Sequence, residues 1–271
     1  MKTVRRSSLD RNLYENLFLN HSGEETFQLL SDGILAFVTN ADRLYDDAQL
    51  LFKQGRWTSG RFLLTTANEE MAKPYIFLDA CRLDFSRHQS TLIRLCYAFY
   101  DHIYKYAYNN VLNSLKVQNI HDGKIEWLES VERWTPYAEK EDPKQIHETY
   151  FLREMPLYID FLDHDQRWST PKEDIAEYNY SIGSGIPDSE SALERLKKTQ
   201  QLGLFSPSVL NLMNDNFKKY YFSDTTADES LINLHNKTAK QIETKTNVSA
   251  KNYQESSLYT IPLYHFLTLQ K

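Results

Sequence analysis

Apolar residues recur at steps of three and four from Glu24 to Gln54, where Phe27, Leu30, Ile34, Phe37, Val38, Leu44, Ala48, Leu51 and Phe52 gather on one face. That period belongs to an amphipathic helix. Gly55 follows as a helix-ending residue, and Thr58 or Ser59 can accept from the free amides that open a next helix, so the pattern predicts a tight helical hairpin. The second helix runs to about Asp84 with Phe62, Leu63, Thr66, Met71, Ile76, Phe77 and Ala80 on its inward side. Pro74 lies inside it and removes the amide that would bond to Glu70, which predicts a kink there. A third helix, from about Thr91 to Lys116, carries Leu92, Leu95, Cys96, Phe99, Ile103, Tyr106, Ala107 and Val111.

The flanks are less regular. Residues 1–23 form an arm in which Leu9, Leu13 and Leu17 recur at steps of four, the mark of a short docking helix with a small share of the core. Residues 117–145 mix polar residues with Trp127, Trp134 and Pro136, and Ile125 to Val131 reads as a short helix within a long connection. Gln145 to Met155 is another segment, and Leu157 to Leu162 reads as an extended run before a turn region from Asp163 to Pro171. Tyr180 to Ser189, with Gly183, Gly185 and Pro187, is a linker. Beyond it Glu190 to Gln201, Ser208 to Tyr221 and Asp228 to Glu243 read as helices, Ser206-Pro207 being a start signal. Leu258 to Leu269 is apolar enough to dock back onto the body.

Composition agrees with a helical chain: 8 Gly and 8 Pro in 271 residues are too few for a β-sandwich or barrel, which needs turn residues at short intervals. The fold class is therefore all-α. A net charge of −6 argues against non-specific adhesion to nucleic acid over the whole surface and leaves room for a local basic groove. Cys81 and Cys96 fall among apolar helical neighbours without zinc-ligand spacing, so both are read as buried thiols. No run approaches a membrane span, and a cytoplasmic protein is expected.

The candidate chemistry lies in two charge clusters on otherwise apolar helices. The first is Asn68-Glu69-Glu70-x-x-Lys73; the second is Asp101-His102-x-x-Lys105. Glu69 with Lys73, and Asp101 with Lys105, have the i,i+4 spacing of modest helical ion pairs, and Arg94 shares a stripe with Asp101 and Lys105 on a continuous helix. A solvated face held by such pairs is the plain reading. The alternative is that the hairpin brings both clusters together across a groove, where charge and desolvation suit a histidine to proton transfer. His121-Asp122-Gly123 and Asp163-His164-Asp165 lack partners at a fixed spacing and read as turns, and Gly183-Ser184-Gly185 reads as linker, so no metal and no cofactor are assigned.

The order and separation of the two clusters, with the Leu-Tyr-Ile-Asp segment at 157–160 and the downstream Trp168 and Pro171, resemble the AbiV branch of the HEPN superfamily over residues 30 to 175. The resemblance implies an antiparallel helical bundle at 24–180, after an N-terminal arm at 1–23 and before a helical C-terminal extension at 190–271. It implies bacterial antiphage defence by abortive infection, with growth or translation arrested by metal-independent RNA cleavage, a homodimer, an RNA substrate and a phage-encoded activator protein. His102, Lys105, Glu70, Lys73 and Asp101 are the expected catalytic residues, and Arg94, Asn68 and Glu69 the expected RNA-binding ones. The superfamily's usual ribonuclease signature, Arg followed by His after four to six residues, has a literal match in Arg82 and His88, the alternative catalytic pair. The rival readings are a non-catalytic helical module that binds a phage or host protein, and an antitoxin-like regulator.

Overall fold

The computed structural model describes residues 11–114, 160–162, 167–169, 189–220 and 227–259. Helix α1, Gly23–Lys53, is opened by a reciprocal cap: the Ser22 hydroxyl accepts from the Glu25 amide, and the Glu25 carboxylate accepts from the Ser22 amide at 2.9 Å. The pair satisfies two donors that a helix start otherwise leaves free. Its buried face (Phe27, Leu30, Ile34, Val38, Leu44, Ala48, Phe52) follows the predicted stripe.

The hairpin forms as expected, with Gly55 at φ +71°, but the turn is shorter. Arg56 donates to the Leu51 carbonyl at 2.9 Å and Gly55 to that of Phe52 at 3.0 Å, the paired bonds that close a helix around a left-handed residue. Arg56 is also the N-cap of α2, Trp57–Cys81, without a side-chain cap. Thr58 and Ser59 therefore lie inside the first turn rather than capping it. The close approach depends on Gly60, where a Cβ would stand 2.5 Å from the Phe52 ring. Pro74 lies within α2, which runs through it as one helix.

The predicted third helix is two. Helix α3, Gln89–Tyr100, ends at Asp101, whose backbone is extended (φ −86°, ψ 125°), and α4, His102–Ser114, begins at the next residue. The Asp101 carboxylate accepts from the Tyr104 amide at 3.3 Å, as an N-cap does. Aspartate stabilises a helix start better than a helix interior, which is why a continuous apolar pattern breaks here. Arg94, Asp101 and Lys105 consequently do not share one helical stripe.

The predicted extended run appears as β1, Asp160–Leu162, paired antiparallel with β2, Arg167–Ser169, in the register Phe161 opposite Trp168. Apart from this hairpin the described elements are helical. The predicted segments at 117–145 and 145–155, and the linker up to residue 188, lie outside the described residues.

The later helices, α5 (Ser189–Gln201), α6 (Pro207–Phe217), α7 (Ala227–Lys245) and α8 (Ala250–Gln254), join the same core as α1 to α4. Pro207 opens α6 after Ser206, as predicted. Polar bonds fix the attachment: Asn214 donates to the carbonyls of Cys81 (3.0 Å) and Leu83 (2.8 Å) at the end of α2, and Lys197 pairs with Asp42 at 3.0 Å. The N-terminal arm buries more than its leucine spacing suggests. A π-helical turn at Glu15–Leu19 presents Tyr14 and Phe18 to the core, with Phe18 5.0 Å from the Phe85 ring, while Leu13 and Leu17 are only partly buried.

Candidate functional site

Helix α2 is covered on nearly every side, so its polar residues Arg61, Thr65, Asn68, Glu69 and Asp79 enter the interior with its apolar ones. Buried polar groups need internal partners, because each unmet one keeps the cost of leaving water. The partners of Glu69 come from α4. Its Oε2 lies 2.8 Å from His102 Nδ1 and 2.9 Å from Lys105 Nζ. A carboxylate only accepts, so with Glu69 ionised the histidine proton sits on Nδ1 and Nε2 is left to act elsewhere. Burial pushes the Glu69 carboxyl up, yet the His102 hydrogen bond and the Lys105 charge outweigh it and hold the group below its ordinary value.

Depth differs sharply within this group. The side chains of Glu69 and Lys105 are 7% and 6% exposed, whereas His102 is 34% exposed. The carboxylate and ammonium are foundations, and the imidazole is the member that reaches the surface. Asp101, the residue before it, accepts from the Tyr97 hydroxyl at 3.1 Å as well as capping α4. Burial and the Asp101 charge raise the Tyr104 phenol beside it, with Arg94 opposing; Arg94 itself is exposed on α3.

Glu70 points elsewhere, since consecutive helical residues diverge by about 100°. It pairs with Lys73 at 2.5 Å, and the Lys73 ammonium sits 5.1 Å from each of the Phe37 and Phe99 ring centres. The expected Glu69–Lys73 pair is thus replaced by Glu70–Lys73, and the expected Asp101–Lys105 pair by Glu69–Lys105. The first replacement is an i,i+3 neighbour within α2, and the second is a tertiary partner from another helix. The structure brings Glu69, His102 and Lys105 together and holds Glu70 and Lys73 as a second, aromatic-flanked pair.

Arg82 and His88 are each bonded into the fold. Arg82 is fully buried, donates to Asp79 at 2.7 Å and to the Leu258 carbonyl at 3.0 Å, and lies 5.7 Å from the Phe217 ring. Tyr108 donates to the other Asp79 oxygen at 2.9 Å. His88 Nδ1 accepts from the Asp84 amide at 3.1 Å, closing the turn before α3. Arg61, Asp79 and Tyr108 escaped sequence reasoning; the available signal was that 57–81 is apolar all round, which marks a central helix whose charges must be internal. Among the described residues no three His, Cys, Asp or Glu side chains gather as metal ligands, and no helix is long and apolar enough to cross a membrane.

No curated protein and no solved structure matches the chain. The family model of the AbiV HEPN domain matches residues 29–181. That span covers most of α1, all of α2 to α4 and the β-hairpin, with both charge clusters, and is more than half of the sequence: the chain belongs to the AbiV family of HEPN-domain abortive-infection proteins.

Proposed function

We propose that this protein arrests infected cells by metal-independent RNA cleavage, with Glu69, His102 and Lys105 as its working group. The observation that carries the reading is a partly exposed imidazole whose inner nitrogen is tied to a buried carboxylate that also holds a buried ammonium. In its neutral form His102 takes the proton of a ribose 2′-hydroxyl at Nε2. The freed oxygen attacks the adjacent phosphorus, the bond to the 5′-oxygen breaks, and that oxygen leaves with a proton taken from water. The His102 imidazolium returns its own proton to solvent. A 2′,3′-cyclic phosphate and a 5′-hydroxyl end result. Glu69 orients the ring and stabilises the imidazolium, while Lys105 offsets charge developing on the phosphate. In this reading Arg94 and Asn68 contact RNA, and Glu70, Lys73 and Asp101 shape the surroundings. Residues 24–180 carry the HEPN domain and 190–271 the extension, whose described helices share its core. The protein works in the cytoplasm as a homodimer released by a phage-encoded activator.

The depth of Glu69 and Lys105 favours a second reading, in which the triad only locks α2 to α4 and the protein acts as a binding module. RNA integrity after controlled expression separates them. Fragmentation lost in His102→Ala but retained in His88→Ala, at matched abundance, supports cleavage at this group; loss only in His88→Ala moves the site to Arg82 and His88. Growth arrest with intact RNA in all three proteins favours the binding module.

A further inference from the structure

Three exposed side chains of α3 lead toward His102. Beyond the first turn of that helix the residues open to solvent are Arg94, Tyr97 and Tyr100, spaced at steps of three, so each lies within one turn of the next. Tyr97 and Tyr100 are 38% and 40% exposed, and among the described residues they are the only two large exposed apolar side chains within a turn of each other. Neither ring is loose. The Tyr97 hydroxyl donates to Asp101 at 3.1 Å and its ring stands edge-on to Tyr104, while the Tyr100 ring meets that of Phe99 at 5.2 Å and 83°.

Two routes place Tyr100 beside His102. Along the backbone only Asp101 separates them, and across one extended residue the flanking Cα atoms lie about 7 Å apart. Through α2, the Phe99 ring that supports Tyr100 lies 5.1 Å from the Lys73 ammonium, and Lys73 stands one turn from Glu69, the residue that holds His102. The exposed rings and the partly exposed imidazole therefore adjoin. Their surroundings also depart from the charge of the whole. The chain carries −6, yet between Asp84 and Asp122 the sole acid is Asp101, against Arg87, Arg94, Lys105 and Lys116. A cationic strip with open aromatic faces fits a single-stranded nucleic acid, whose phosphates meet the cations and whose unpaired bases stack on the rings. A duplex keeps its bases stacked on one another and offers the rings no face. A second copy docked here face to face would set like charges together.

We propose that Tyr97 and Tyr100 are base-stacking residues, and that single-stranded RNA runs along α3 with a phosphate at Arg94 and unpaired bases on the two rings. The base on Tyr100 then adjoins the sugar that presents its 2′-hydroxyl to His102. The inference rests on the RNA reading of the His102 group and deepens it by naming the substrate class: single-stranded, and weakly selective for sequence because every base has a ring face. Tyr97 and Tyr100 bind and move no proton.

Fluorescence anisotropy of a labelled 2′-O-methyl oligonucleotide with the full chain tests this, since the methylated oxygen has no proton to give and the strand stays whole. The probe is a mixed sequence of about twelve nucleotides, alone or annealed to its complement. Wild type should bind the single strand at least about tenfold more tightly than the duplex. Tyr97→Leu and Tyr100→Leu should each weaken that binding about tenfold and leave its salt slope unchanged, whereas Arg94→Gln should lower the slope by about one. Tyr100→Phe should bind as wild type. Both leucine variants should melt within about 4 °C of wild type, because the rings lie at the surface. No binding by wild type, equal binding of strand and duplex, or leucine variants that bind as wild type would overturn the platform. A smaller mass of Tyr100→Leu in light scattering, with RNA affinity unchanged, would overturn it in favour of a second copy on this face. Cleavage is read separately on unmodified RNA. Tyrosine-dependent binding without cleavage sinks the nuclease reading alone, and His102-dependent cleavage untouched by either leucine variant sinks the platform alone.

Discussion

His102 Nδ1 meets Glu69 Oε2 at 2.8 Å across a sequence gap of 33 residues, and the same oxygen holds Lys105. The carboxylate therefore serves two cations or near-cations from one helix turn. Removing its charge has two consequences of different kind. Glu69→Gln leaves the Lys105 ammonium buried and unpaired, at a cost of about 3 to 5 kcal/mol, and it releases the histidine tautomer. A urea titration should show the midpoint fall with an unchanged slope. Lys105→Met in the same background should recover much of the loss, because the stranded charge is gone.

The pH dependence follows from the lowered Glu69 carboxyl. A carboxyl whose folded pKa lies below its unfolded one contributes stability that is fully present above the unfolded value, about 4.3 for glutamate. That contribution is lost as pH falls through the folded value. Wild type should destabilise steeply below about pH 4. Glu69→Gln should begin less stable at neutral pH and lose less on acidification, measured as melting temperature against pH.

Asp101 is tested by its capping bond. Asp101→Ala removes the acceptor for the Tyr104 amide and should cost about 1 kcal/mol, a fall in melting temperature of about 2 to 4 °C. Asp101→Asn, which retains a capping oxygen, should lie within a degree or so of wild type by the same scale.

Arg82 serves architecture. It joins the end of α2 to the carbonyl of Leu258 while neutralising Asp79, so Arg82→Ala should destabilise by about 3 to 5 kcal/mol. His88→Ala, whose losses include the bond to the Asp84 amide, should cost about 1 kcal/mol. Chemical denaturation of both variants tests the contrast; equal, small losses would show that the clamp is dispensable.

Cys81 and Cys96 are both buried, and burial pushes the Cys81 thiol up to about 12. The thiolate is the reactive form, so the folded protein should resist alkylation at neutral pH. Both cysteines should label on unfolding, as intact mass will show.

The long-range partners separate what was legible in the sequence from what was not. The α1–α2 hairpin could be read because its signals are local: an apolar stripe, then Gly55. The break at Asp101 was hidden because Phe99 and Ile103 continue the apolar period straight through it, and only the capping preference of aspartate speaks for an interruption. Both charge clusters stand out as motifs, and their meeting across a groove is one of two readings the sequence allows, but the particular pairs, Glu69 with Lys105 and Glu70 with Lys73, are not specified by it. Spacing along one helix reports Glu69 with Lys73; it says nothing of a second helix that brings His102 and Lys105 to the same oxygen. Arg61 left no motif at all, since a lone arginine in an apolar helix has no partner in sequence to announce it.

The most direct test of the central claim is cleavage of total RNA by the purified protein in excess chelator, with wild type compared to a folded His102→Ala protein of matched melting temperature. Wild type should yield fragments with 2′,3′-cyclic phosphate ends, and His102→Ala should cleave at least about 100-fold more slowly. Equal cleavage by the two proteins would contradict it, as would fragments from wild type that appear only when a divalent metal is restored.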